Sequence, residues 1–364
     1  MLLVSLLCFQ VYLFAQQDAW VYLLDKEDVA NSISNPISIL TQKAIDRKND
    51  HNIAIDERDV PVNEDYISQL KNATGITVMA KSKWFNAVHV RGSQTDIGAL
   101  SSLAFVVDIV FADKSLNTSK TSKSKKTFKL EVAKTAFNYG NALNQIQMFN
   151  GDKLHLSDYT GMGMTVAVLD AGFPNVNTMA SFAQLRNVGG ILDDYDFVNR
   201  DDDVYSGATS NHGTLVLSDM AGFVDNQFVG TAPDAKYYLF ITEDALNENP
   251  VEESYWVEAA ERADSLGVDV INTSLGYGSF YDNPNYNYLD SEYDGNTIFI
   301  TKGANIAFEK GMLLVNSAGN EGEAGINAPA DAIGVLSVGA VNAIGSRAAP
   351  FSNWNFCSGL LFCS

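Results

Sequence analysis

Cysteine is nearly absent from this chain. Its three residues, Cys8, Cys357 and Cys363, sit near the two ends, and everything between them is cysteine-free. That distribution excludes a disulfide framework and a cysteine-ligated zinc site. Histidine is also scarce, with only His51, His89, His155 and His212 to serve as bases or ligands. Basic charge is missing from most of the chain: from Lys134 onward there are 29 Asp and Glu against 9 Lys and Arg, which accounts for the whole net charge of −20. Such an acidic body argues against nucleic acid or an anionic membrane surface as a partner. Long hydrophobic runs are lacking too. Only residues 1–15 form an uncharged apolar stretch, shorter than the roughly 20 residues a membrane span needs.

What is present is ordinary for a folded protein. With 364 residues, 46% of them hydrophobic and 19% charged, the chain has room for two domains and is not expected to be disordered. Residues 1–15 end in Leu13, Phe14 and Ala15 and read as a secretory signal peptide, which implies a secreted or extracytoplasmic protein. The basic start of such a signal is absent, so a mis-assigned start or a buried strand stays open. Residues 19–112 alternate short strands (19–24, 76–80, 87–90, 105–111) with helical stretches (37–48, 61–71, 96–102), the pattern of a small α+β unit. Residues 113–135 interleave Lys, Ser and Thr with few apolar side chains and read as an exposed linker, either a spacer or a maturation site.

From residue 136 to 353 the pattern becomes α/β. Apolar runs at 165–169, 236–241, 268–272, 312–316 and 335–341 alternate with helical stretches, notably 252–266 and 301–310. Near-continuous apolar strands of this kind predict a parallel sheet covered on both faces. Ligands of such sheets bind beyond the carboxyl ends of the strands.

Three segments stand at such positions: Val166-Ala-Val-Leu-Asp170-Ala-Gly172, Asn211-His212-Gly-Thr214, and Val315-Asn-Ser-Ala-Gly-Asn320-Glu-Gly322. In this order they resemble the subtilisin-like (subtilase) serine peptidases, a likeness that runs from about Tyr159 to Asn353. The resemblance implies a subtilisin-like catalytic domain, with residues 19–112 as its prodomain, a folding aid and inhibitor. It implies that Asp170 orients His212, that His212 is the general base, and that the Asn320 amide donates to the oxyanion. It also makes Ser274, Leu275 and Gly276 the edge that pairs with an extended peptide. Each residue has a plainer reading: a turn or cap for Asp170, a structural imidazole for His212, a glycine-flanked turn for Asn320, and a strand exit for Ser274–Gly276. Two departures are visible. Ala171 stands where the family more often has Ser or Thr, and Leu215 where it usually has a second His.

The family's nucleophile sits in a Gly-Thr-Ser segment well after the Asn, and no such segment follows Asn320 here. None of Ser352, Ser358 and Ser364 is assigned the role. Residues 354–364 are apolar and uncharged, an ending that a premature stop or a shifted frame would produce, with a natural short form as the alternative. The expectation is a serine endopeptidase precursor acting on polypeptides, its catalytic domain truncated and inactive as written; a non-catalytic peptide-binding relative is the other reading. No cofactor is expected. Asp201–Asp203, with Asp193, Asp194 and Asp196 nearby, offer oxygen ligands suited to calcium, but lack EF-hand spacing and read as a solvated acidic loop. Gly161-x-Gly163 precedes its strand, whereas a dinucleotide fingerprint follows one.

Overall fold

Two sheets of opposite construction organise the computed structural model, which describes residues 16–117, 137–207, 210–322, 325–342, 344 and 346. The expected signal peptide, most of the linker and the 354–364 tail lie outside the described residues. The N-terminal sheet consists of β1 (Gln16–Leu23), β2 (Ile76–Ser82), β3 (Ala87–Ser93) and β4 (Val106–Phe111) in the order β2-β3-β1-β4. All its pairings are antiparallel. Side chains on a strand point alternately to opposite faces, and β1 uses both. Ala19, Val21 and Leu23 enter a core with Ile67 and Leu70 of the helix Glu64–Asn72 and with Ile97 of the helix Gln94–Ala99, whereas Trp20 faces a different cluster. The Asn63 side chain accepts hydrogen bonds from the Asp65 and Tyr66 amides, which fixes where the first of these helices begins.

The helical stretch expected at 37–48 is split. A short turn at Pro36–Ser38 ends, and α1 (Gln42–Asp50) starts anew where the Thr41 side chain accepts from the Ala44 amide. Although α1 is polar, Arg47 and Lys48 are buried, because both meet the Asp264 carboxylate of the second unit.

The second sheet is all-parallel and six-stranded. Its strands are β5 (Thr165–Asp170), β6 (Ile191–Asp196), β7 (Lys236–Ile241), β8 (Val270–Thr273), β9 (Leu313–Ser317) and β10 (Val335–Val338), in the order β10-β9-β8-β5-β7-β6. Every residue of β5 is buried. Ala167 and Leu169 pack towards α2 (Val251–Leu266) and α3 (Phe299–Glu309), while Val166 and Val168 pack on the other side with Leu217 of α4 (His212–Ala221). Strand β6 was not expected. Asp193, Asp194 and Asp196 lie on it rather than in an acidic loop, and each is engaged: Asp193 with Arg262, Asp194 with the Tyr205 hydroxyl, Asp196 with the Val198 and Asn199 amides. Among the described residues no group of three or more His, Cys, Asp or Glu is arranged to hold a metal.

The N-terminal sheet lies on α2 and α3. The Trp20 ring stacks on Phe299 with 4.7 Å between centroids, and the Lys83 and Trp84 amides each donate to the Glu261 carboxylate at 2.9 Å. The approach is close at Gly267, which ends α2 with φ of 80°. A Cβ there would stand 2.6 Å from the Ala44 amide nitrogen of α1, so a side chain is excluded twice over, by backbone conformation and by space.

Candidate active site

The carboxyl end of the parallel sheet is where the singled-out residues meet. Asp170 is the last residue of β5, and its side chain is wholly buried. Its Oδ1 accepts two hydrogen bonds at 2.7 Å, one from the Ala171 amide and one from Nδ1 of His212. Oδ2 is buried without a hydrogen-bond partner. A carboxylate so placed costs free energy unless a donor compensates it, and the imidazole is the main side-chain donor in reach.

His212 is the first residue of α4, and its side chain is 46% exposed. Thr214 anchors the first turn by donating from its hydroxyl to the Pro174 carbonyl at 2.8 Å. The hydrogen bond to Asp170 raises the His212 pKa from its ordinary value, burial opposes that, and the charges of Asp170 and Glu243 add to the rise. A helix N-terminus disfavours imidazolium, but here the carboxylate 2.7 Å away outweighs it. Leu215 is 58% exposed and takes no part in the contact.

The closeness of Asp170 and His212 depends on Gly213. A Cβ on Gly213 would lie 2.6 Å from the Gly172 carbonyl oxygen, 2.9 Å from the Asp170 Cβ and 2.9 Å from the Phe173 ring. Backbone cannot yield cheaply there, so Gly213→Ala is expected to push α4 off β5 and break the pair. With the carboxylate withdrawn, the His212 pKa should fall towards or below its unperturbed value of about 6.5. An NMR titration of the imidazoles reads this directly; an unchanged His212 pKa in Gly213→Ala refutes the argument.

An open groove of about 370 Å³ runs past the imidazole. His212, Ser274, Leu275, Gly276 and Asn320 all line it, so every residue singled out beside the buried Asp170 reaches one cleft. Asn320 is exposed in the loop after β9, its amide N–H donating to Glu321 Oε2 at 2.8 Å. The segment after β8 is held from behind: the Leu275 carbonyl accepts from the Asn316 side chain at 3.1 Å, and the Tyr277 amide donates to Ala328 at 2.9 Å. A Cβ at Gly276 would stand 2.7 Å from the Asn327 side chain.

The groove also contains carboxylates that no sequence motif marked. Glu243 follows the end of β7, and Glu248 lies in the next loop. Burial pushes the Glu243 carboxyl up to about 8, with the charges of Glu248 and Asp170 adding to the rise. Tyr277 sits close enough to oppose that rise, yet neither its hydroxyl nor Glu243 Oε2 has a formed hydrogen bond. The signal available in the sequence was position alone: like Asp170, Glu243 stands where an apolar strand gives out.

Comparison with known proteins agrees with this architecture. The family model for the Peptidase S8 propeptide domain, Bacteroidota, matches residues 18–129, and that for the Subtilase family matches residues 161–359. The chain is 30% identical over 204 residues to the thermostable alkaline protease of Halalkalibacterium halodurans, covering 56% of this chain and 48% of that protein. It is equally similar to subtilisin E of Bacillus subtilis, over 208 residues, with 56% and 47% covered. The chain thus spans about half the length of these relatives. A solved structure, the epidermin leader peptide processing serine protease (EpiP) of Staphylococcus aureus as its S393A mutant, shares the fold with a TM-score of 0.52. It is 15% identical, over 93% of this chain and 73% of that one. With one family model matching more than half of its residues and a propeptide model ahead of it, this chain belongs to the subtilase family.

Proposed function

We propose that this chain is the precursor of a secreted serine endopeptidase and carries all of its catalytic groups except the nucleophile. The observation that carries the reading is the 2.7 Å contact from His212 Nδ1 to a buried Asp170 carboxylate, at the edge of a groove that Asn320 also lines. In this reading Asp170 holds the imidazole in the tautomer with the proton on Nδ1, which leaves Nε2 free to take a hydroxyl proton. The Asn320 side-chain amide donates to the oxygen that becomes negative as the scissile carbonyl is attacked. Backbone groups of Ser274–Gly276 pair with the substrate as an added strand. Residues 1–15 act as the secretory leader, and the N-terminal sheet on α2 and α3 acts as the prodomain. No helix among the described residues is long and apolar enough to cross a membrane.

The attacking hydroxyl is the missing group, because no Gly-Thr-Ser follows Asn320 in these 364 residues. Without a member of the triad, catalysis falls to roughly 10³–10⁴-fold over water. The purified 364-residue polypeptide is therefore expected to take up no fluorophosphonate label on serine and to leave peptides intact. A product of the same coding region that continues through a Gly-Thr-Ser is expected to label, and His212→Ala should abolish the labelling. Labelling of the 364-residue chain itself overturns the assignment of a missing nucleophile. A verified stop directly after Ser364 moves the reading to a non-catalytic peptide binder.

A further inference from the structure

Glu243 is placed as a binding group with an uncommitted oxygen. It lines the same groove as His212, and its Oε2 is buried with no hydrogen bond. Glu248 and Glu321 line the groove as well, and no Lys or Arg does. The His212 imidazole directs Nδ1 to Asp170 and gives Glu243 Oε2 no hydrogen bond. Burial pushes the Glu243 carboxyl up, and the neighbouring Glu248 charge adds to the rise, so the site as it stands disfavours the ionised form. An unpaired carboxylate is expensive to bury, and a cation brought to it removes that cost. A side chain of a bound polypeptide can carry the opposite charge into the groove. The rim of the groove fits a long stem with a charged tip: Ala245 lines it, and the Phe280 ring, 60% exposed, lies ready to cover methylene groups.

We propose that Glu243, assisted by Glu248, forms a specificity subsite for a lysine or arginine side chain of the bound polypeptide, at the position lying against His212. The inference rests on the reading of the groove as a peptide-binding cleft. It goes beyond that reading by assigning a charge preference to residues outside the catalytic set. An arriving ammonium or guanidinium favours the ionised carboxylate, whose proton passes to solvent, and gives Glu243 Oε2 a charge-assisted donor; a neutral side chain of the same length leaves the carboxyl as it was.

The test needs no catalysis and uses the whole 364-residue chain. A fluorescent, end-blocked octapeptide is prepared with one arginine or lysine scanned through its positions. Each peptide is matched by citrulline or norleucine at the same place, and binding is followed by anisotropy. At one position the cationic peptide is expected to bind on the order of tenfold to a hundredfold more tightly than its neutral counterpart. Glu243→Gln should bring the two within about twofold, and Glu248→Gln, which alters a half-buried side chain, should weaken the preference in part. Peptides that bind with no preference for the cation at any position overturn the subsite and leave the groove reading standing. Failure of every peptide to bind overturns the groove reading and the subsite with it. A cation preference that survives in both Glu243→Gln and Glu248→Gln assigns it to other residues and overturns the proposal.

Discussion

Asp264→Ala is expected to destabilise the protein by about 3–5 kcal/mol, because it strips the buried Arg47 of its carboxylate partner and leaves the buried Lys48 with Asp59 alone. Asp264 is wholly buried on α2, and its Oδ1 binds both Arg47 and, at 2.9 Å, Lys48 Nζ. Lys48 Nζ also lies 3.2 Å from Asp59, whose other oxygen accepts from Lys310 Nζ at 2.8 Å. Lys310 in turn reaches Asp56 at 2.9 Å. Arg47, Lys48 and Lys310 thus balance Asp56, Asp59 and Asp264, and four of the six belong to the N-terminal unit while Asp264 and Lys310 belong to the body. The network spans the junction. Its net worth relative to an apolar junction is small, since desolvation offsets attraction, but losing one partner exposes the full desolvation cost of the others.

Urea unfolding followed by tryptophan fluorescence measures the loss, and a cycle distinguishes its cause. Combining Lys48→Met with Asp264→Leu should cost clearly less than the sum of the single changes, because the unpaired charges go together. Additive costs contradict the account. The network also sets a direction with pH. Burial pushes the Asp59 carboxyl up, but Lys48 and Lys310 pull it below its usual value overall; for Asp56, Arg58 and Lys310 prevail over burial in the same way. Carboxyls with lowered folded-state pKa values contribute stability above their unfolded value of about 3.9 and lose it as the pH falls further. Acid should therefore weaken the wild type below about pH 4.

Much of this architecture is legible in the residues, and the exceptions have physical causes. Runs such as Val166–Leu169 and Leu239–Ile241 announce themselves because a parallel strand covered on both faces tolerates few polar residues. Strand β6 escapes notice for the opposite reason. Among the described residues it pairs with no strand but β7, at the sheet edge, and its sequence Ile-Leu-Asp-Asp-Tyr-Asp can point acids outward to Arg262 and Tyr205. Charge misleads again in α1, where Arg47 and Lys48 look solvated until their buried partners, more than 200 residues away, are known. At the groove, Asp170, His212 and Asn320 were visible through motifs of fixed order. Glu243 had no motif, and only burial and an uncommitted oxygen set it apart.

Trp20→Ala is expected to cost a further 3–5 kcal/mol, by emptying an aromatic site between the two units. Trp20 is 5% exposed, packs flat on Phe299 of α3, and meets the His89 ring edge-on at 5.1 Å between centroids. Its Nε1 donates to the Ser254 hydroxyl at 2.9 Å, and that hydroxyl lies 2.8 Å from His89 Nδ1, to which it is free to donate. His89 Nε2 completes the chain at Asp18, 2.9 Å away. The ring and its N–H can be separated experimentally. Trp20→Phe keeps a flat apolar ring and removes the donor, so about 1 kcal/mol is expected from the lost hydrogen bond, plus a smaller packing loss. Pairing Trp20→Ala with Phe299→Ala should reveal a coupling of about 0.5–1.5 kcal/mol for the stacked rings. Because Trp20 projects from β1 away from Ala19, Val21 and Leu23, the change leaves the core of the N-terminal sheet intact. Hydrogen exchange should then show protection retained at the β1–β3 ladder and reduced along α2 and α3, where the sheet docks. Protection lost evenly across the ladder and the helices would place Trp20 in the folding of the sheet itself, against the docking role argued from its position.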